Sequence, residues 1–555
     1  MNESDFRAKH LGDFTLTPRT LAISAAALVI GGASAVAAFC LLRLIGLITN
    51  AVFYYRLSTA TDAPGAVHHP AWLILLAPAA GGLAVGLMAR YGSDKIRGHG
   101  MPETIDAIVT GGSKVAPGVA VLKPVSAAVS IGTGGPFGAE GPIIMTGGAV
   151  GSILAQCLHL SADERKALLV AGAAGGMAAT FNAPLASILL AVELLLFEWR
   201  PRSLIPVCAS VAVATACRWS LLGAGTLFPV TGAARPGAGA IALTLIPGLS
   251  GGLLAVIATA LVYKSEDAFA RLPLPWMCWP AIGGLVIGLG GLAEPRALGV
   301  GYDVIDALLT GRAGISLIVG ILVVKTLIWS LSLGSGTSGG VLAPTFMIGG
   351  ALGAAEGLAL PHVFAGFWAM VGLAAVVGGV MRSPLTGIVF TLELTGAWPA
   401  LPALVVASVS AYCLSALVLK RSVLTEKVAR RGIHLTREYS TDPLEVFFAR
   451  EVMTPQAAPG AGERRPAVTV YADSTLREVA NEFARRHATE AAVVDRAVPG
   501  RVVGQITLGQ LLHARRADLR EEEHRERPLP VALMPLAASR PARPGREKAG
   551  PLRRG

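Results

Sequence analysis

The sequence predicts an all-α polytopic membrane protein of two related halves with tilted and broken helices, followed by a small α/β cytoplasmic domain. Three observations predict it. Of 555 residues, 53% are hydrophobic, only 15% are charged and 66 are glycine, and the mean hydropathy is +0.59. Soluble domains carry about 25% charged residues. Apolar runs recur along residues 20–420, and several reach the ~20 residues that cross a hydrocarbon core. Finally, the apolar part repeats itself. Ile105-Asp106-Ala107 with Thr110-Gly111 returns as Ile305-Asp306-Ala307 with Thr310-Gly311. Ile131 to Pro142 (IGTGGPFGAEGP) returns as Leu333 to Pro344 (LGSGTSGGVLAP), and Pro184-Leu185, Ile188 and Glu193-Leu194 return as Pro384-Leu385, Ile388 and Glu393-Leu394. Related halves with interrupted apolar segments at matching places mark a transport protein whose ion site lies between the repeats.

Residues 1–20 form a short polar leader. The membrane domain takes residues 21–420, with a first repeat to about 225 and a second from 238, joined by the Gly/Pro/Ala link from Gly232 to Gly239. Leu21 to Leu42 carries no charge and is too long for a cleaved signal peptide, so it reads as a retained helix. Residues 421–450 form a charged, helical cytoplasmic linker. Lys420, Arg421, Lys427, Arg430 and Arg431 follow the last apolar run and put that end in the cytoplasm by the positive-inside tendency. Both termini are expected there, in a multi-pass inner-membrane protein. The net charge of +11 sits at membrane exits and in the tail, which argues against nucleic acid.

Residues 451–513 change to soluble alternation. Val468 to Val470 reads as a strand, Thr475 to His487 as a helix, Ala491 to Val494 and Val502 to Ile506 as strands, and Leu508 to Ala514 as the start of a helix. Residues 514–555 form a charged, disordered tail, Pro- and Arg-rich from about 538. The six cysteines are scattered through apolar segments with no metal or disulfide spacing. Neither a metal nor a resident cofactor is expected.

Three Gly/Pro clusters carry the chemistry: Gly98-His99-Gly100-Met101-Pro102-Glu103, Gly138-Ala139-Glu140-Gly141-Pro142 and Gly339-Gly340-Val341-Leu342-Ala343-Pro344. Each precedes an apolar helical run. A helix start offers unpaired N–H groups and the positive end of a dipole, and glycine lets an anion come close. Such a site binds a small anion without a full positive charge, weakly enough to release it. Glu140 is the pointed residue, since a carboxylate in a Gly-rich apolar stretch is costly. Ionised, it can fill the N–H cradle an anion would use; protonated, it would swing away. The bland reading is an acid that merely favours its helix dipole.

These clusters resemble those of the CLC family of chloride channels and chloride/proton antiporters. The family patterns GSGIP, G(K/R)EGP and GxFxP read here as GHGMP, GAEGP and GGVLAP, and FNAPLA stands at Phe181 to Ala186. The resemblance covers roughly residues 20–430. It implies an inverted-repeat fold, a homodimer with one anion path per subunit, a gating and proton-carrying Glu140, and anion binding at Gly98, His99, Gly100, Met101, Gly138, Gly141, Gly340, Val341 and Leu342.

The departures matter. The family's central serine falls at His99, whose imidazole could donate to the anion or merely line a vestibule. The motif phenylalanine becomes Leu342, and the central tyrosine falls near Leu424. The inner proton-transfer glutamate of family antiporters falls at Leu194. Glu193 is adjacent but about 100° away on a helix, and its repeat mate Glu393 favours a structural role over a proton relay. Fluoride exporters of the family depart at the proline of GxEGP; Pro142 is present, so chloride is the expected substrate, with other small anions open.

Glu451-Val452-Met453-Thr454-Pro455, Val468, Asp473, Leu476, Val493-Val494-Asp495 and Gly504-Gln505-Ile506-Thr507 resemble a single CBS motif, a module that normally pairs, here across a dimer. Thr507 is followed by Gln510 where adenine-nucleotide binders place an acid, so packing or dimerisation is favoured over nucleotide binding. Gly336-Thr337-Ser338-Gly339 matches a rhomboid-type serine motif, but no later membrane histidine is placed to serve as base: His362 lies beside Pro361 at a helix boundary. A non-conducting receptor-like scaffold is the third reading. The expectation is therefore no enzyme and no catalytic residue, but chloride transport, channel-like or weakly proton-coupled, with strict chloride/proton antiport as the alternative and intramembrane serine proteolysis a remote one.

Overall fold

The computed structural model describes residues 18–158, 160–432, 444, 447–455, 468–496, 498 and 501–525. Contacts divide the chain into a unit of residues 12–439 and a second holding the C-terminal residues from Ser440.

The first unit is helical and its halves correspond helix by helix. The first half holds α1 (Arg19–Phe53), α2 (Ala71–Tyr91), α3 (Met101–Val109), α4 (Pro117–Gly132), α5 (Glu140–Cys157), α6 (Ala162–Phe181), α7 (Pro184–Leu190) and α8 (Pro201–Leu221). After the short α9 (Ala238–Leu243) come α10 (Leu245–Ala270), α11 (Trp279–Ala293), α12 (Tyr302–Leu309), α13 (Ile315–Gly320), α14 (Thr326–Gly334), α15 (Leu342–Gly357), α16 (Phe367–Met381), α17 (Pro384–Thr395) and α18 (Leu401–Val418). Among the described residues seven helices are long and apolar enough to cross a membrane.

Sequence chemistry sets the breaks. Pro184 and Pro384 open α7 and α17 at the first helical turn, where the missing N–H costs nothing. Each follows a left-handed residue, Asn182 at φ 55° and Arg382 at φ 54°. Arginine in that conformation needs support, and the Arg382 guanidinium donates to Ser415 O at 2.9 Å and Lys420 O at 3.2 Å. Ser161 caps α6 reciprocally with Glu164. Small residues then let helices touch. A Cβ on Gly147 would stand 2.2 Å from Gly172 O, and its repeat mate on Gly349 would stand 2.6 Å from Gly372 O. Close backbone approach is how helices associate where lipid supplies no hydrophobic drive.

Two boundaries are corrected. Residues 421–430 form a helix as expected but belong to the membrane unit and not to the linker: α19 (Val423–Arg430) packs there with Val423, Leu424 and Val428 fully buried. One face of α19 is apolar, while Lys427 and Arg430 on the other find acids within the same unit. The disordered tail does not begin at 514, because a helix runs Leu508–Arg525. The leader to residue 17, residues 433–443 of the linker and the tail beyond 525 lie outside the described residues.

The C-terminal unit holds β1 (Thr454–Pro455), β2 (Thr469–Tyr471), β3 (Glu490–Val494) and β4 (Val502–Thr507) in the order β1-β4-β3-β2. β2 and β3 are parallel, with the helix Leu476–Arg486 between them in sequence; the other pairs are antiparallel. Ala491, Val493 and Ile506 point into a core shared with Val479 and Phe483.

Candidate anion pathway

The three Gly/Pro clusters come together. Gly98 N donates to Thr337 O at 3.2 Å, Gly138 N to Gly340 O at 3.4 Å and Gly340 N to Gly138 O at 2.8 Å. A fourth cluster joins them, since Gly299 N donates to Gly134 O at 3.1 Å. Each repeat's G-x-G turn, Gly98/Gly100 or Gly299/Gly301, thus bonds to the glycine loop of the other repeat. All four glycines have positive φ, from 67° to 84°, which side chains tolerate poorly.

Glu140 sits at the centre of this ring, fully buried. Its Oε1 accepts from the backbone N–H of Leu342, and from Ala343 at 3.1 Å. These are the first amides of α15 in the opposite repeat. Glycine makes the seat: a Cβ on Gly340 would lie 2.5 Å from Oε1, and one on Gly138 would overlap Oε2 at 1.8 Å. Oε2 has no partner. A carboxylate held by two helix-start amides occupies an anion cradle, and Lys325 and Tyr302 lie within electrostatic reach of it.

The N–H groups of Gly98, Gly138 and Gly340 are bonded across the repeats, and Gly100 N donates to Glu103 Oε2 at 3.1 Å. Away from water a backbone donor must be satisfied inside the protein, so these glycines contribute close approach rather than donation. Gly141 acts likewise: a Cβ there would stand 1.9 Å from His99 O. Met101 and Val341 are buried at the same junction, and Leu342 supplies its amide, not its side chain. His99 is 3% exposed and its Nδ1 has no partner. Leu424, at the family's tyrosine position, is fully buried.

Sequence reading passed over two lysines. Lys123 and Lys325 are both fully buried. Lys123 Nζ donates to Ile96 O at 2.8 Å, Gly98 O at 2.7 Å and Ser338 Oγ at 3.1 Å. Lys325 Nζ donates to Ala297 O and Gly299 O, each at 2.8 Å. Each ammonium ties down the turn that opens its own repeat's G-x-G. The signal was available: a lone lysine in an apolar run, at the same offset that relates Gly132 to Gly334.

Glu193 accepts from Thr386 N at 2.9 Å and Thr386 Oγ1 at 2.6 Å, which is helix-cap geometry. Leu194, at the inner relay position, is 1% exposed. Ser338 Oγ is held by Lys123 and, at 3.1 Å, by Ser126 Oγ. In the C-terminal unit Gln510 accepts from Thr507 Oγ1 at 3.1 Å and donates to Thr454 Oγ1 at 2.8 Å, so it is already engaged where a nucleotide-binding acid was sought. Among the described residues no group of His, Cys, Asp and Glu is arranged to hold a metal ion.

An inverted pair of helical repeats enclosing a carboxylate-filled anion cradle defines a multi-pass membrane transport protein. The chain belongs to the Voltage gated chloride channel family, which matches residues 81–416. It is 32% identical over 381 residues to the Voltage-gated ClC-type chloride channel ClcB of Salmonella typhimurium, covering 65% of this chain and 87% of that protein. It is 33% identical over 292 residues to the H(+)/Cl(-) exchange transporter ClcA of Citrobacter koseri, covering 49% of this chain and 61% of the relative. In fold it is similar to a slow cyanobacterial Cl-/H+ antiporter, with a TM-score of 0.64 and 21% identity over 75% of this chain and 99% of the other. A eukaryotic CLC transporter is similar over 88% of this chain and 98% of its own, at a TM-score of 0.61 and 18% identity. Chloride transport across a membrane follows from the family.

Proposed function

We propose that the protein moves chloride through a Glu140-gated path that is channel-like or only weakly coupled to protons. The carrying observation is the Glu140 carboxylate on the Leu342 and Ala343 amides. Chloride and the carboxylate compete for those donors. Protonation weakens the carboxyl group as an acceptor and releases it, so acid opens the path. Leu194 in place of an inner acid favours loose coupling, because a leucine carries no proton inward. Strict chloride/proton exchange is the second reading, favoured by the relative named an exchange transporter. Reversal potentials in a pH gradient separate the two: a channel follows chloride alone, and an exchanger shifts with the proton gradient.

The same reading assigns a homodimer with one path per subunit, an inner-membrane location and cytoplasmic termini, supported by family membership and by the basic residues after α18. We place no catalysis here: Ser338 is bonded to an ammonium and a hydroxyl rather than an imidazole. The C-terminal unit serves packing or pairing rather than nucleotide binding, since Gln510 holds β1 to Thr507.

A further inference from the structure

We propose that the Tyr302 hydroxyl receives the protonated Glu140 carboxyl when it leaves its seat, and so helps to set the acidity at which the path opens. The inference rests on the Glu140-gate reading and deepens it by naming the group at the other end of the swing.

The two ends ask for different chemistry. An ionised carboxylate only accepts hydrogen bonds, and the Leu342 and Ala343 amides that hold it only donate them. Once protonated, the carboxyl carries an O–H that those amides cannot accept. A hydroxyl both donates and accepts, so it offers the neutral carboxyl what the seat lacks.

Tyr302 supplies such a hydroxyl beside the seat. Its Oη is buried without a hydrogen-bond partner, as is Glu140 Oε2, and the two side chains lie within electrostatic reach of each other. A buried hydroxyl left unbonded is costly, and the arriving carboxyl removes that cost. Tyr302 opens α12, and its neighbour Gly301 abuts α15, the helix whose first amides hold Glu140: a Cβ on Gly301 would stand 2.2 Å from Met347 Sδ. Rings fix the phenol. Tyr302 meets Phe181 edge-on at 6.4 Å and Phe228 at 5.9 Å. Phe181 meets Phe390 at 5.1 Å, and Phe390 meets Phe346, one turn beyond Leu342, at 5.2 Å. Such packing orients the ring and leaves its hydroxyl uncommitted. The two repeats also part company at both residues. Leu342 is the repeat mate of Glu140, and Met101 is the mate of Tyr302, so acid and hydroxyl each occur once.

The charges around the pair are few. Lys325 Nζ is engaged by Ala297 O and Gly299 O, and Asp303 lies 3.5 Å from Arg296. Arg218, 4% exposed, donates to Gly223 O from Nη1 and makes no ion pair among the described residues. It lies within electrostatic reach of Tyr302. A guanidinium attracts the ionised carboxylate rather than the neutral form, which makes Arg218 the rival destination.

The test is chloride efflux from liposomes holding the full-length protein, followed against pH. Tyr302→Phe removes one oxygen and keeps the ring packing. It should need about fivefold more protons for half-maximal flux, the effect of losing one hydrogen bond to the released form. An unshifted curve would overturn the proposal. Placed on Glu140→Ala, Tyr302→Phe should make no difference, because the two residues act through one contact. A change of flux there would put the hydroxyl on the anion instead, and would overturn the proposal as well. Arg218→Gln should move the curve less than Tyr302→Phe does; the reverse order assigns the carboxylate to the guanidinium and ends the role of Tyr302. Glu140→Ala by itself keeps the two readings apart. If it carries no chloride, or still needs acid, the gate reading fails. If it conducts at every pH while Tyr302→Phe leaves the curve in place, only the inference about Tyr302 fails.

Discussion

Glu193 and Glu393 each cap a helix that begins in the other's repeat. Glu193 accepts from Leu385 N at 3.4 Å and Thr386 N at 2.9 Å at the start of α17; Glu393 accepts from Leu185 N at 3.0 Å and Ala186 N at 2.8 Å at the start of α7. The exchange explains why both halves keep a glutamate at this place. A carboxylate on helix-start amides satisfies donors that lipid leaves bare. One of these glutamates neighbours the family's relay position, yet its bonds are those of a clasp.

Glu393→Ala should therefore cost about 1 kcal/mol of stability, the typical worth of a lost cap, read as a lower melting temperature in detergent. Glu393→Gln keeps one acceptor oxygen and should cost less. Glu193→Gln should leave any proton coupling unchanged, and a loss of coupling in reversal-potential measurements would return Glu193 to a relay role.

At Glu140 the sign with pH is set by competition. Above the carboxyl's titration the ionised form holds the Leu342 and Ala343 amides and flux is low; acid releases it and flux rises. Glu140→Gln should conduct chloride at every pH, with the pH dependence gone. A glutamine variant that still needs acid to open would put the gate elsewhere.

His99 stands where the family resemblance leads one to expect a hydroxyl, with Nδ1 buried and unpartnered. His99→Ser should change the relative permeability of chloride, bromide and nitrate in ion-substitution experiments. Identical permeability ratios would make the imidazole a bystander.

Lys123→Met should leave the carbonyls of Ile96 and Gly98 without their donor, at a cost of at least about 2 kcal/mol. Lys325→Met removes the matching pair at Ala297 and Gly299 and should cost a similar amount. Thermal unfolding in detergent reads both. A neutral result in either would mean that water or a neighbouring group takes over.

Much of this was legible because the constraint is local. Gly-Pro breaks, a misplaced acid and a repeated spacing survive in the sequence regardless of packing, and they led to Glu140 and to the three clusters. Glu193 and Glu393 were visible as a pair, although their partners were not. The lysines were passed over because a single charge in an apolar run says nothing about which carbonyls it will meet. The helix α19 was legible but was assigned to the linker, because five basic residues in and around it read as an exit, whereas its apolar face and the acids at Glu103 and Asp267 draw it into the membrane unit.

By itself, then, the sequence determined a membrane protein of two like halves with a carboxylate among helix starts, because hydrophobic length and glycine spacing are properties of the chain alone. Only the tertiary structure decided which amides that carboxylate holds, which glycine N–H groups are closed off by cross-repeat bonds, and which carbonyls Lys123 and Lys325 tie down. The first two of those outcomes depend on contacts between residues some 200 positions apart, and the geometry of two repeats folded against each other exists only once both are packed.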